Sequence, residues 1–195
     1  MRRVLLVALL VPALALAAAK KKPPPAAPPA KPPPPPPAEL TEPAEKVSEA
    51  FGEKVTSLLK GLEGATAWRV SDPGQRPAPD RVIGSDFQRE VKGKDLSNED
   101  LKKLRQLLYD EKSFRLSQNA ASCNFTPDVA FDAHSGIDSL QILVSFKCST
   151  LMFFTGKPGG RSLPGAAVDF KPARKQLLTF AKELLPQDGP TQALK

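Results

Sequence analysis

The residues of this chain best equipped for chemistry are two cysteines, Cys123 and Cys148, and a polar group around the only histidine: Asp128, Asp132, His134 and Asp138. A serine or cysteine nucleophile needs a base within hydrogen-bond reach. Here that base would have to be His134, with Asp132 or Asp138 orienting its ring. No Gly-x-Ser-x-Gly elbow presents a serine to it, and the pattern puts His134 in a solvated hairpin turn. Asp128, Asp132, His134 and Asp138 have the spacing of neither a calcium loop nor a zinc site with Cys and His ligands. They read instead as hydrophilic turn residues. Gly159 and Gly160 follow Pro158 without the lysine and spacing of a phosphate cradle. Paired carboxylates for sugar hydrolysis are numerous among the acidic residues, and none is singled out. The sequence thus assigns no catalytic, cofactor-binding or metal-ligating residue.

The two cysteines lack the Cys-x-x-Cys spacing that tunes a redox dithiol. In an oxidising compartment an isolated pair within one domain most simply forms one disulfide. Closing a loop of about 25 residues stabilises by roughly 3 kcal/mol on the chain-entropy view.

The compartment is read from residues 1–43. Arg2 and Arg3, an apolar run over 4–16 and small residues at 15–19 match the three regions of a secretory signal peptide, cleaved after Ala17 or Ala19. The apolar stretch is interrupted by Pro12 and is shorter than the ~20 residues a spanning helix needs, so a cleaved leader is expected over 1–19 with no transmembrane segment in the mature form. Without a cysteine near the cut, lipid attachment there is not expected. Residues 20–43 hold twelve prolines in twenty-four positions. Proline fixes its own backbone angle and disfavours helix before it, which predicts an extended polyproline spacer reaching ~70 Å. Such composition names no partner by itself.

Charge narrows the partners. Of 28 basic and 21 acidic residues, six basic and two acidic precede residue 44, leaving 22 against 19 over 44–195. A net +3 with no arginine-rich helical face is not the footprint of a nucleic-acid binder. Lys20, Lys21 and Lys22 could touch an anionic surface, and otherwise keep a proline tract in solution.

The elements that must position these residues lie in one domain over 44–190, followed by a C-terminal tail over 191–195. Val47, Phe51, Val55, Leu58, Leu59 and Leu62 recur at three- and four-residue steps and predict one helix over 44–62, ended by Gly61 and Gly64. Residues 66–70 read as a strand with Trp68 in the core, leading to a turn at Asp72-Pro73-Gly74. Residues 81–83 and 86–91 read as a weak strand pair or one strand broken at Gly84. Ser97 and Asp100 form a capping box, with Leu96 and Leu101 as its staple, at the start of a helix ending near Asp110. Leu101, Leu104, Leu107 and Leu108 make its buried stripe, while Lys102, Lys103 and Arg105 face water. Strands over 129–133 and 140–146 flank a five-residue loop at 134–138. A third strand over 151–155, a turn at 157–160, a short edge over 168–170 and a helix over 172–185 complete the pattern.

The string Cys123-Asn124-Phe125-Thr126-Pro127, an apolar strand and then Ser145-Phe146-Lys147-Cys148 resemble an exported bacterial domain family without assigned activity, patterned Cys-x-Phe-x-Pro and Cys-Phe-x-Cys. Ser145 stands where that family often has another cysteine. The resemblance implies an exported α+β domain and no chemistry.

The combined expectation is an α+β domain: an antiparallel sheet of four or five strands, three helices mainly on one face, and a brace at Cys123 and Cys148. Its expected setting is periplasmic or extracellular, and its expected role is that of a non-catalytic interaction domain on a spacer, meeting an envelope protein or cell-wall component without a cofactor. The competing class is an envelope enzyme of hydrolase type built from dispersed acidic and polar residues. Oligomeric state is not encoded in any of these patterns.

Overall fold

The periodic apolar stripe over residues 47–62 does produce helix, but the helix is broken. A computed structural model describes residues 39–71, 87–116, 123–157 and 163–195, and in it α1 (Glu45–Phe51) and α2 (Glu53–Lys60) replace the single expected helix. Gly52 separates them at φ 79, ψ 160, a region that only glycine enters readily. The stripe survives the break: Val47, Phe51, Val55, Leu58 and Leu59 are all buried.

The chain divides into Met1–Pro37 and Ala38–Lys195, and every described residue belongs to the second unit. The expected signal segment, residues 20–38 of the proline tract, the turn at 72–74, the strand at 81–83 and residues 158–160 lie outside the described residues.

Among the described residues six strands form one antiparallel sheet, where four or five were expected. They are β1 (Gly64–Ser71), β2 (Gln88–Asp95), β3 (Val129–Ser135), β4 (Asp138–Ser145), β5 (Thr150–Gly156) and β6 (Leu163–Asp169), in the order β2-β1-β3-β4-β5-β6. The two strands read weakly or short in the sequence are the edges. Edge strands carry polar residues, glycine and proline that dilute the alternation signal, as Gln88–Asp95 and Leu163–Asp169 do. The β3–β4 connection is also tighter than the expected five-residue loop. Ser135 pairs with Asp138, so only Gly136 and Ile137 turn, with Gly136 at φ 56 in the position a type II′ hairpin gives to glycine.

Among the described residues there are five helices where three were expected. Beyond the division of the first, α3 (Asn98–Tyr109) begins at its capping box, with the Ser97 hydroxyl accepting from Asp100 N and the Asp100 side chain accepting from Ser97 N. The segment 172–185 opens with a 3-10 turn, Lys171–Ala173, before α4 (Arg174–Leu184). The residues read as a tail carry α5 (Gly189–Ala193), which Asp188 caps by accepting from Thr191 N.

Strand alternation divides the sheet residues between two layers. Ala65, Ala67, Val129, Phe131, Ala133, Leu140, Ile142, Val144, Leu151 and Phe153 join the helices in the main core. Phe51 packs on Phe114 and Phe153, ring centroids 5.3 and 4.6 Å apart, and Phe131 meets Phe180 at 5.9 Å. Tyr109 is buried there too, donating to the Leu59 carbonyl at 3.1 Å, and burial raises its phenol pKa. The opposite face holds a smaller cluster of Val70, Ala130 and Leu143. Trp68 belongs to that second face and is half-buried, not in the main core as expected. The alternation that turns Ala65 and Ala67 toward the helices turns Trp68 away.

Candidate functional site

Among the described residues no side-chain hydrogen bond joins the four polar residues singled out in the sequence. Asp132 lies on the second sheet face and accepts from the guanidinium of Arg89 and, at 2.7 Å, from Gln141 Nε2. Arg89 reaches it from β2, passing 5.1 Å over the Trp68 ring, a cation–π contact that helps hold its plane. Gln141 is 5% exposed. Among the described residues its Oε1 and Arg89 Nε have no hydrogen-bond partner, and Asp132 is the shared acceptor of a two-donor structural network.

His134 is on β3, paired with Gly64 and Ser139, and not in the hairpin turn. Its imidazole is exposed and lies over Gly64, where a Cβ would stand 2.5 Å from Cε1. Asp132 is committed to Arg89 and Gln141, and Asp138 pairs with Lys54 at 2.5 Å. That hydrogen bond holds the Asp138 carboxyl below its ordinary pKa. Neither aspartate is hydrogen-bonded to His134 among the described residues. Asp128 accepts from Phe146 N at 2.8 Å and fastens the 145–149 connection to the start of β3. Burial pushes its carboxyl up, against the Phe146 and Lys147 amides and the charges of Arg174 and Lys147. Among the described residues no group of three or more His, Cys, Asp or Glu side chains could hold a metal ion.

Cys123 and Cys148 do come together. Their Cα atoms are 5.8 Å apart at disulfide-bonding distance, and no described cysteine is free. The pair joins the segment before β3 to the β4–β5 connection, at the same end of the sheet that Asp128 fastens.

A largely apolar concavity lies between α3 and α4. This open groove of about 710 Å3 is lined by Leu107 and Phe180 with Lys102, Lys103, Gln106, Lys175, Gln176 and Thr179 around them. Leu107 is half-buried, a partial departure from the expected stripe, because it faces the seam between the two helices. Lys103 pairs loosely with Glu183 at 3.7 Å. Arg105 does not face water as expected; its guanidinium donates to the Leu62 carbonyl. At one margin Gln106 grips the backbone of Leu40, accepting from its N–H at 3.1 Å and donating to its C=O at 2.9 Å, while Lys102 pairs with Glu39 at 2.7 Å. Sequence reasoning missed Arg89, Gln106 and Gln141, since a polar residue on a strand or helix carries no local mark of a partner tens of residues away.

Comparison with family models, curated proteins and solved structures returns no match. Among the described residues no helix is long and apolar enough to cross a membrane.

Proposed function

We propose that this chain is an exported, non-catalytic interaction module, carried on the proline-rich segment 20–43 and working in the periplasm or outside the cell. The observation that carries this reading is the α3–α4 groove: an apolar floor with a polar rim, open to solvent, of the kind that receives a protruding side chain or segment of a partner. The commitment of Asp128, Asp132 and Asp138 to the Phe146 amide, to Arg89 with Gln141, and to Lys54 supports it, because none of the three is hydrogen-bonded to His134 among the described residues and acid–base chemistry requires groups that converge on one reacting atom. The Cys123–Cys148 pair and the leader-like residues 1–19 support the exported setting. The resemblance to exported bacterial domains patterned on Cys-x-Phe-x-Pro points the same way.

The test is capture from envelope extract by the full exported chain, compared with Gln176→Glu/Thr179→Asp at the groove rim and Ser57→Asp/Ala193→Asp elsewhere. A partner retained by the wild type and the second variant but lost by the first supports the groove. Equal retention by all three removes the groove from the account, and turnover of a hydrolase substrate panel by purified protein overturns the non-catalytic reading.

A further inference from the structure

The end of the domain braced by Cys123 and Cys148 gathers basic residues from three separate segments. Lys112 and Arg115 follow α3, Lys147 lies between β4 and β5, and Lys171 and Arg174 open the segment leading into α4. Backbone bonds stitch these segments together: Arg115 N donates to Asp169 O at 2.9 Å and Phe170 N to Ser149 O at 2.8 Å. Arg174 Nε donates to Phe146 O at 3.2 Å, beside Lys147, and the Phe146 and Phe170 rings meet at 5.8 Å.

Among the described residues none of these five cations has a carboxylate within ion-pair distance. The nearby acids are hydrogen-bonded elsewhere, and Asp128 feels the charges of Lys147 and Arg174 without pairing with either. Asp110 accepts from Lys112 N, Asp169 from Lys171 N and Asp128 from Phe146 N, while Glu111 is paired with Lys46 at 2.6 Å. Lys112, Arg115, Lys147 and Lys171 are exposed. Folding has turned Asp110, Asp128 and Asp169 toward backbone amides and left four of the cations outward, with Arg174 half-buried beside them.

We infer that this end of the domain docks on an anionic phospholipid surface, with Lys112, Arg115, Lys147, Lys171 and Arg174 meeting the headgroup phosphates. The shape selects a surface over a small anion. Arg115 borders one open cleft and Lys112 another, and neither cleft is lined by a second of the five. Cations on three neighbouring segments make several contacts to a planar array, each adding to partition through the surface potential and weakening with salt. This docking is separate from the α3–α4 groove and stands whether or not the groove takes a partner.

The test is cosedimentation of the full exported chain with phosphatidylcholine vesicles, with and without phosphatidylglycerol, at low ionic strength. The wild type is expected to partition only onto the anionic vesicles. At about fivefold per lysine, Lys112→Gln/Lys147→Gln/Lys171→Gln is expected to lose on the order of a hundredfold. A control removing the same charge elsewhere on the domain, Lys94→Gln/Lys157→Gln/Lys195→Gln, is expected to bind as the wild type does. All six lysines are exposed, so matching thermal midpoints confirm that both variants are folded. Equal losses in the two variants, binding to neutral vesicles, or retention by soluble polyphosphate without vesicle binding would each overturn the assignment.

Discussion

Arg69 and Asp188 are 119 residues apart in sequence and meet with Arg69 Nε 2.8 Å from Asp188 Oδ1. The contact ties the end of β1 to the connection between α4 and α5. Asp188 also caps α5, accepting from Thr191 N at 2.9 Å, and its side chain is only 3% exposed. One carboxylate therefore holds both the last helix and its attachment to the sheet. Asp188→Ala is expected to cost about 3 kcal/mol in urea unfolding at neutral pH, combining a broken, largely buried pair with a lost cap. Asp188→Asn keeps a capping oxygen and should cost roughly half as much. Burial raises the Asp188 pKa, but Thr191 and Arg69 outweigh it and leave the carboxyl below its ordinary value. Its stabilisation is present above about pH 3.9 and is lost as pH falls toward the lower folded value. Equal stability of Asp188→Ala and wild type at pH 7 would refute this role.

Asp128 predicts the opposite pH dependence. Its folded pKa is raised by burial, so between about pH 3.9 and that higher value the native state holds the proton more tightly than the unfolded chain. Stability from this group is full below that window and declines as pH rises through it. Urea unfolding of wild type and Asp128→Asn should show a difference that grows in favour of the variant from pH 4 toward neutrality. A difference independent of pH would show that the carboxyl does not titrate between the two states.

The Cys123–Cys148 pair closes a separation of 25 residues, worth about 3 kcal/mol. Cys123→Ser/Cys148→Ser should lower the urea midpoint accordingly, and reductant should shift the wild type to the same value while leaving the variant unchanged. Two thiols freely alkylated in oxidised, exported protein would contradict the bond.

How much of this was legible in the residues depends on how local the cause was. The Ser97–Asp100 capping box spans three residues, and its geometry is what the pattern describes. The β3 and β4 strands are apolar enough to declare themselves, and a lone cysteine pair leaves one partner for each. Edge strand β2 runs Gln-Arg-Glu-Val-Lys-Gly-Lys-Asp and has little to bury, so its pairing with β1 has almost no hydrophobic signature. The candidate groove was invisible for another reason. Gln106 and Leu107 on α3 look like ordinary surface and stripe positions until α4 lies beside them. The five cations of the disulfide end are likewise scattered over 63 positions, and only tertiary contacts bring their segments together.

The break between α1 and α2 was hidden because the apolar spacing runs through it, and it yields the sharpest backbone prediction. Gly52 sits at φ 79, and a Cβ built there would meet nothing within 4 Å. Any cost of Gly52→Ala is therefore conformational and not steric against neighbours. Backbone in this region costs a residue with a side chain on the order of 1–3 kcal/mol. Were the segment a continuous helix, alanine would instead stabilise it by up to about 1 kcal/mol, through higher helix propensity. The sign of the change in unfolding free energy for Gly52→Ala separates the two geometries. Destabilisation is expected, and with Val47, Phe51 and Val55 buried on either side of the bend, the core leaves α1 and α2 little freedom to straighten and relieve it.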